Sequence, residues 1–305
     1  MSETILMTGA TGFVGSHLLR SLVAEGHNIT LLTRSFSSTA RVHDVLNHVQ
    51  RIDLDKSDLT VALSKLKIAG VIHLATDYGR RDSCAAEVLQ TNLVLPVSLF
   101  EVASTLGARF FINTDSFFCK PQFNYPVMRN YIFSKNSFRN WAHNNTKQIH
   151  FANISLEHVY GPDDGQEKFV SSVLRQMLNP SVGDIALTSG MQKRDFVYID
   201  DVVEAYRCVL ASVKVESTRP SFCAYEVGTG SSIELRHFVK KIHEITSSRT
   251  ELSFGALPYQ EGEIMDSFAD LGAITRLGYA PRVGLNDGII RVVDAARKTL
   301  LENTP

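Results

Sequence analysis

Thr8-Gly9-Ala10-Thr11-Gly12-Phe13-Val14-Gly15-Ser16 follows directly on the apolar run Ile5-Leu6-Met7, and apolar residues at helical spacing continue it through residues 18–23. This order predicts a buried strand, a tight glycine turn and an amphipathic helix.

A glycine turn of this kind lets the main chain approach a pyrophosphate closely, and the N-terminus of the following helix stabilises the negative charge of that group. The spacing is G-x-x-G-x-x-G, not the standard G-x-G-x-x-G, and a turn that simply needs glycine is the alternative. Dinucleotide contacts are expected at Gly9, Thr11, Gly12, Phe13, Val14 and Gly15.

Composition restricts the class of protein. The 305 residues are 44% hydrophobic and 21% charged, which is typical of a soluble globular chain. A net charge of -1 gives no reason to expect nucleic acid or membrane as a partner. The four cysteines include no C-x-x-C pair, so neither a disulfide framework nor a metal site is expected. The first strand begins too early for a signal peptide and no apolar run is long enough to span a bilayer, so a cytoplasmic location is expected.

Strand and helix signals alternate along the first half of the chain. Strands are predicted at Thr4–Thr8, Ile29–Thr33, Gly70–Ala75, Arg109–Thr114 and His150–Leu156. Helical patterns include Ala86–Leu106 and Tyr131–Asn144. This alternation predicts an α/β fold with a doubly wound parallel sheet of the Rossmann type. Ligands of such sheets bind beyond the carboxyl ends of the strands, so loops from distant parts of the sequence should converge on one crevice.

The second half predicts helices near Lys168–Met177, Val202–Leu210, Leu235–Ile245 and Asp287–Leu301. Asp200 or Asp201 is expected to cap the second of these. A first domain is placed at 1–160, with 191–212 packing back onto it. Residues 161–305 are expected to form a smaller α/β domain.

Tyr131 and Lys135 are the strongest candidates for chemistry. Residues at i and i+4 share one face of a helix, and a nearby ammonium is expected to lower the pKa of the phenol towards neutrality. Thr114 ends an apolar strand, where its hydroxyl could donate to a substrate carbonyl. The alternatives are a surface pair on an amphipathic helix and a threonine that merely ends its strand.

Together with their chain order, these motifs resemble the extended short-chain dehydrogenase/reductases, in the branch of nucleotide-sugar epimerases, dehydratases and ketoreductases. Further segments carry the resemblance along nearly the whole chain: Asn113–Ser116, Glu157–Pro162, Arg194–Asp201 and Gly278–Pro281. The resemblance implies that Thr114 orients the reacting carbonyl and that Tyr131 donates or accepts the proton. Lys135 would hold the nicotinamide ribose. Residues 1–160 would then bind NADP(H), and 161–305 the nucleotide sugar.

The resemblance also implies the remaining contacts. Cofactor contacts are expected at Arg34, Asp53, Leu54, Leu74, Ala75, Thr76 and Asn92, besides Tyr131 and Lys135. Substrate contacts are expected at Tyr78, Asp115, Ser116, His158, Lys168 and Arg194. Arg80 and Arg81 are further candidates, although a mobile basic loop is the favoured interpretation for these two. For Arg194 an ion pair with Asp195 or Asp200 is the alternative, and for His158 it is a packed core position.

The end of the second predicted strand favours NADP(H). Enzymes that use NAD place a carboxylate there for the ribose 2′-hydroxyl, whereas Leu31–Ser35 contains no acid. Arg34 instead suits a 2′-phosphate, and the alternative is a solvent-exposed arginine.

Ser116 stands where the dehydratases that the chain resembles carry a glutamate, and serine is a poor base for the proton beside a carbonyl. The segment 156–164 with Lys168 resembles the CDP-abequose and CDP-paratose synthases, which implies NADPH-dependent reduction of the C4 keto group of a nucleotide-activated 6-deoxy or 3,6-dideoxy sugar, in deoxysugar and O-antigen-type biosynthesis. Ser155, His158 and Gln260 depart from the relatives' pattern. The alternatives are a nucleotide-sugar 4-epimerase and a dinucleotide-sensing regulator without catalysis. Relatives pair two helices of each copy, so a homodimer is expected.

Overall fold

The computed structural model describes residues 3–79, 83–146, 149–216 and 221–302, so Arg80 and Arg81 lie outside the described residues. Its strands are β1 (Thr4–Thr8), β2 (Ile29–Thr33), β3 (Gln50–Asp53), β4 (Ile68–His73), β5 (Phe110–Ser116), β6 (His150–Leu156), β7 (His158–Tyr160), β8 (Asp184–Leu187), β9 (Lys193–Arg194), β10 (Phe196–Tyr198), β11 (Phe222–Val227), β12 (Ile233–Glu234), β13 (Glu251–Phe254) and β14 (Asp266–Ser267). Its helices are α1 (Phe13–Ala24), α2 (Leu59–Leu63), α3 (Ala85–Leu89), α4 (Leu95–Thr105), α5 (Arg129–Asn144), α6 (Phe169–Leu178), α7 (Ile199–Glu216), α8 (Leu235–Thr246) and α9 (Leu285–Glu302).

A parallel sheet in the order β11-β6-β5-β4-β1-β2-β3 forms the centre of the described chain. The predicted α/β fold is therefore confirmed, and three predicted strands, those now labelled β1, β2 and β6, have the predicted bounds. One face of the sheet packs against α1 and α7, and the other against α4 and α5. Apolar residues on both faces of each central strand account for this burial, because a parallel sheet is covered on two sides.

The first unit reaches beyond the expected boundary at residue 160. β11 pairs in parallel with β6 at the edge of the sheet, and α7 packs on α1 and on β6. The sheet thus includes 222–227, a segment that the sequence analysis had placed in the second domain. The two-residue alternation of β11 is weak because only two of its six side chains are buried.

Smaller sheets and three helices form the second unit. β8 pairs with β13, β9 lies between β12 and β14, and β7 pairs with β10. The amphipathic helices α6, α8 and α9 bury their apolar faces against one another. α7 begins at Ile199, so Asp201 lies inside its first turn. The Asp201 carboxylate accepts hydrogen bonds from the main-chain N–H groups of Arg282 and Val283 and does not cap α7 as expected.

The helix predicted over 86–106 is interrupted. A π-helical turn at Gln90–Val94 separates α3 from α4, and it contains the buried Asn92. Such turns are frequent at functional sites because they re-aim side chains. On α4 and α5, Leu99, Phe100 and Phe138 are buried in the core of one copy.

Within the described ranges, no helix combines the length and apolarity needed to cross a bilayer. The same residues contain no cluster of histidine, cysteine or carboxylate side chains suited to a metal ion.

Candidate active site

The glycine turn between β1 and α1 is closely packed. Gly9 has a φ of 68°, and a Cβ there would lie 2.4 Å from the main-chain nitrogen of Ala75. A Cβ on Gly15 would lie 2.1 Å from the carbonyl oxygen of Gly9. Gly12 is the N-cap of α1, and no side chain in the described part of the protein caps that end. The turn therefore presents open main-chain N–H groups, as an anion-binding helix N-terminus does.

The tips of the neighbouring strands lie against this turn. Thr8 at the end of β1 joins β4 through its Oγ1, which lies 2.8 Å from Nδ1 of His73 and accepts a hydrogen bond from Ala75. The main-chain N–H of Leu74 donates to the carbonyl of Thr8. Leu74 and Ala75 are thus held beside Gly9, at the crevice where the sequence analysis expected a cofactor.

Asn92 connects this loop to the helix that carries Tyr131. Its Oδ1 accepts from the main-chain N–H of Asp77 at 2.8 Å and from Oγ1 of Thr76 at 3.3 Å. Its Nδ2 donates to the carbonyl of Asp77 at 2.7 Å and to Oγ of Ser134 at 3.1 Å. Every polar atom of the amide is used, which explains how a buried asparagine fixes the loop after β4.

The ends of β2 and β3 bring Arg34 to a carboxylate that sequence reasoning did not identify. Nε of Arg34 donates to Asp55, and the main-chain N–H of Ser35 donates to the same carboxylate at 2.7 Å. Oγ of Ser35 donates to Asp53 at 2.7 Å, and the Leu54 N–H donates to the carbonyl of Thr33. The Arg34 side chain is 46% exposed, as the alternative interpretation expected, and it is paired with the Asp55 carboxylate.

Thr114, Tyr131 and Lys135 are brought together as expected. Tyr131 and Lys135 are both buried, and Nζ of Lys135 donates to the carbonyl oxygen of Thr114 at 2.8 Å. Oγ1 of Thr114 lies 2.5 Å from the hydroxyl of Tyr206, a buried residue of α7. β5 and two helices thus place three hydroxyl groups and one ammonium at the carboxyl edge of the sheet.

The pKa of Tyr131 differs from expectation. Burial raises it well above its ordinary value, and a hydrogen bond with Ser116 offsets this only in part. Burial also lowers the pKa of Lys135, whose ammonium is directed at the Thr114 carbonyl. The expected lowering of the phenol pKa by Lys135 is therefore wrong for this structure, because the loss of water around the buried phenol is the largest effect on its pKa.

Tyr78, one of the expected substrate residues, covers the Tyr131 ring, and Lys168, another, lies over Tyr78. The ring of Tyr78 is stacked on that of Tyr131, with centroids 5.0 Å apart and planes at 20°. Nζ of Lys168 lies 4.0 Å from the centroid of the Tyr78 ring, at cation–π distance. Tyr78 and Lys168 therefore belong to the same site as Tyr131, although they come from a loop after β4 and from the start of α6.

Asp115 lies on the opposite side of β5 from Thr114. Its carboxylate accepts from Arg139 at 2.9 Å, from Asn153 at 3.1 Å and from the main-chain N–H of Ser116 at 2.8 Å. The side chain is 0% exposed. Asp115 is thus directed at α5 and away from the crevice, and its expected substrate contact does not agree with this placement. Alternation along a strand explains the difference, since adjacent side chains point to opposite faces.

Arg194 and His158 lie deeper than expected. Arg194 donates to Glu263 and to the carbonyl of Ile264, so its partner is neither Asp195 nor Asp200. The His158 ring lies 4.9 Å from that of Phe117, and burial beside cationic side chains lowers the pKa of His158 to about 3. Its buried Nδ1 has no hydrogen-bond partner among the described residues. His158 is therefore packed and neutral, yet retains one free polar atom.

Four functional neighbours escaped sequence reasoning, namely Asp55, Arg139, Tyr206 and Glu263. Arg139 follows Lys135 by four residues on the same helix face, so the sequence did hold a signal for it. Asp55, Tyr206 and Glu263 come from segments that are distant in sequence from the residues they contact, so no local spacing identifies them.

The chain resembles known proteins along its whole length. A family model described as the NAD dependent epimerase/dehydratase family matches residues 5–228. A CDP-abequose synthase of Salmonella muenchen is 37% identical over 296 residues, which are 96% of this chain and 98% of that protein. A UDP-glucose 4-epimerase of Mycolicibacterium smegmatis is 27% identical, covering 96% of this chain and 98% of its own length.

Solved structures show the same fold. The UDP-glucose 4-epimerase of Thermotoga maritima with UDP-glucose superposes with a TM-score of 0.82 at 22% identity, over 97% of this chain and 99% of the other. MoeE5 in complex with UDP-glucose and NAD gives a TM-score of 0.81 at 24% identity, with coverage of 97% and 99%.

Proposed function

The chain belongs to the NAD dependent epimerase/dehydratase family, and we propose that it reduces the C4 keto group of a nucleotide-activated 6-deoxy or 3,6-dideoxy hexose with NADPH. The observation that carries the proposal is the joint placement of Thr114, Tyr131 and Lys135, beside Ser116 in place of a carboxylate base. The 37% identity to a CDP-abequose synthase supports a CDP-sugar as substrate and a place in deoxysugar biosynthesis of the O-antigen type.

The glycine turn fits the pyrophosphate of a dinucleotide. A side chain at Gly9 or Gly15 would collide with main chain, so those two glycines shape the turn. Gly12 leaves the N-terminus of α1 uncovered for a charged group. Asn92 holds the neighbouring loop, and Lys135 would bind the ribose of a nicotinamide.

Thr114 and Tyr131 have separate roles at the carbonyl group: one donates a hydrogen bond and the other donates a proton. Oγ1 of Thr114 donates a hydrogen bond to the carbonyl oxygen, and Tyr206 fixes that hydroxyl from the side of α7. When bound, a reduced nicotinamide supplies the hydride that adds to C4. Tyr131 transfers its phenolic proton to the new alkoxide oxygen, which becomes the product hydroxyl.

Reduction requires that Tyr131 carries its proton before the reaction begins. A phenol with a high pKa keeps its proton at neutral pH and is ready to act as an acid. An aliphatic alcohol is a still weaker acid, so transfer from the phenol to the alkoxide is favourable. Lys135 lies one helical turn away and stabilises the phenolate that remains.

Dehydration fits this site less well. It requires a base for the proton beside the carbonyl, and Ser116 offers only a hydroxyl. The neighbouring carboxylate of Asp115 is fully engaged by Arg139 and Asn153. A 4-epimerase is the second candidate, because it uses the same hydroxyl groups and because Arg34 already has a protein partner.

The proposal includes a homodimer and a cytoplasmic location. Val94 is 45% exposed and Phe133 is 61% exposed, which supports contact between copies near α4 and α5. The four cysteines are free, which suits a reducing compartment.

A panel of CDP-, dTDP-, GDP- and UDP-linked 4-keto sugars, monitored for NADPH oxidation, tests the function. We expect one CDP-linked substrate to be reduced stoichiometrically, and Tyr131→Phe protein to lose nearly all turnover. Tightly bound NAD⁺ with no net consumption of added NADPH would instead identify a 4-epimerase.

A further inference from the structure

The pairing of β2 with β3 brings an arginine and a carboxylate together at the carboxyl edge of the sheet. Thr33 and Asp53 are partners in the sheet, so the residues that follow them, Arg34–Ser35 and Leu54–Asp55, leave the sheet side by side. Nε of Arg34 and the main-chain N–H of Ser35 both donate to the Asp55 carboxylate. We call these two donors the Arg34 cradle.

The Arg34 cradle has the chemistry of a phosphate site. A guanidinium N–H and a main-chain N–H that converge on two oxygens of one anion bind phosphate and carboxylate alike. Arginine at the end of the second strand is also where this kind of sheet accommodates a 2′-phosphate. Asp55 therefore stands in for that phosphate, as an anion that the protein itself supplies.

The other charges near the cradle do not replace Asp55. Asp53 accepts a hydrogen bond from Oγ of Ser35 and lies 3.6 Å from Nζ of Lys56. Nε of Arg41 donates to the carbonyl of Asp163 across the crevice. The Arg34 guanidinium also lies 5.1 Å from the centroid of the Phe36 ring. Among the residues that the structure describes, Asp55 alone accepts a hydrogen bond from both donors of the cradle.

We propose that Asp55 is a specificity-determining residue that competes with the 2′-phosphate of NADPH for the Arg34 cradle and thereby weakens the preference over NADH. This inference rests on the proposed function only in that the protein binds a nicotinamide dinucleotide. NADPH must displace the carboxylate or lie beside a like charge, which is unfavourable in either case. NADH has a hydroxyl group in place of the 2′-phosphate, so it can bind without displacing Asp55.

Fluorescence titration with NADPH and with NADH, at low salt and without any sugar, tests the inference. For Asp55→Asn protein we expect the Kd for NADPH to fall about tenfold, as removal of one competing charge predicts, with the Kd for NADH within about twofold of the wild type. The gain should shrink in 0.5 M salt, because an exposed charge is screened. In an Arg34→Ala background, Asp55→Asn should give no gain.

Asp200→Asn is the matched control. It removes the same charge from another exposed aspartate–arginine pair, that of Asp200 with Arg291, and should leave both Kd values unchanged. An unaltered Kd for NADPH in Asp55→Asn protein would overturn the inference, as would equal tightening of both dinucleotides. Absence of dinucleotide binding in both proteins would overturn this inference and the proposed function together. NADPH oxidation with a 4-keto sugar but no Asp55→Asn effect would overturn the inference alone.

Discussion

The hydroxyl of Tyr206 lies 2.5 Å from Oγ1 of Thr114, so a residue of α7 is joined to the end of β5 beside Tyr131. One hydrogen bond joins the two hydroxyl groups and uses one of their two protons, so the other proton can be donated to a further acceptor. When the Tyr206 hydroxyl donates to Thr114, the hydroxyl proton of Thr114 is free to donate to a carbonyl oxygen. The first hydrogen bond then polarises the Thr114 hydroxyl and strengthens the second.

The first prediction concerns Tyr206. Tyr206→Phe should lower kcat for the 4-keto sugar about tenfold with little change in KM, since the lost bond orients Thr114 for the transition state. Tyr279→Phe is the control, because that buried tyrosine also loses one hydrogen bond, to the carbonyl of Gly228. In Thr114→Val protein the Tyr206 change should have no further effect on kcat. A multiplicative effect of the two substitutions would contradict the coupling.

A second prediction separates backbone strain from collision in the glycine turn. Gly9 and Gly26 both have positive φ, but a Cβ on Gly26 would meet no atom within 4 Å. Gly26→Ala should cost about 1 kcal/mol of unfolding free energy, the penalty of the left-handed conformation. Gly9→Ala should cost about 3 kcal/mol and should also abolish dinucleotide binding, because its methyl group collides with main chain. Urea denaturation and cofactor titration measure both, and equal losses for the two variants would refute the collision.

The third prediction concerns acid stability. The pKa of His158 is lowered from an ordinary 6.5 to about 3 by burial. Between these values the unfolded chain binds a proton that the folded protein does not, so stability should fall as the pH is lowered from 6.5 towards 3. Asp164 acts in the opposite direction between pH 3.8 and about 6, because burial raises its pKa. Melting temperatures of wild-type and His158→Asn protein across this range isolate the histidine: the variant should show a shallower loss. Parallel curves would mean that His158 titrates normally.

A fourth prediction addresses the position of Asp115. Arg139→Met leaves a carboxylate buried without its cation and should cost about 3 kcal/mol of unfolding free energy. Adding Asp115→Asn to that variant should restore much of the loss, since an amide needs no counter-charge. Denaturant midpoints of the single and double variants provide the comparison. If the second substitution made matters worse, Asp115 would owe its stability to groups other than Arg139.

Local signals predicted much of the fold and failed where burial is weak. The bounds of β1, β2 and β6 followed from apolar runs that end in a turn. β3 was missed because its first two side chains are exposed and the other two are half-buried, so its sequence lacks apolar alternation. The π-helical turn was missed because one extra residue shifts the hydrophobic pattern by a single position, which is hard to recognise within a short apolar helix.

The sequence identified several residues of the candidate site, but it did not identify the residues that contact them. Thr114, Tyr131 and Lys135 lie on one strand and one helix, so chain order, spacing and the family resemblance were enough to propose them. Arg34 and Arg194 were identified as cations, yet Asp55 and Glu263 reach them by tertiary packing. The predicted change in the Tyr131 pKa was wrong for the same reason. Desolvation depends on the surrounding fold, and a short sequence motif does not contain that information.

The place of β11 beside β6 has a consequence for synthesis on the ribosome. A nascent chain that has emerged only as far as α6 holds β6 as an open sheet edge, because its partner strand ends at Val227. All but one of the seven side chains of β6 are buried in the finished protein. An apolar edge of this kind invites pairing with other chains, so stalled or truncated products should depend on chaperones and should aggregate without them.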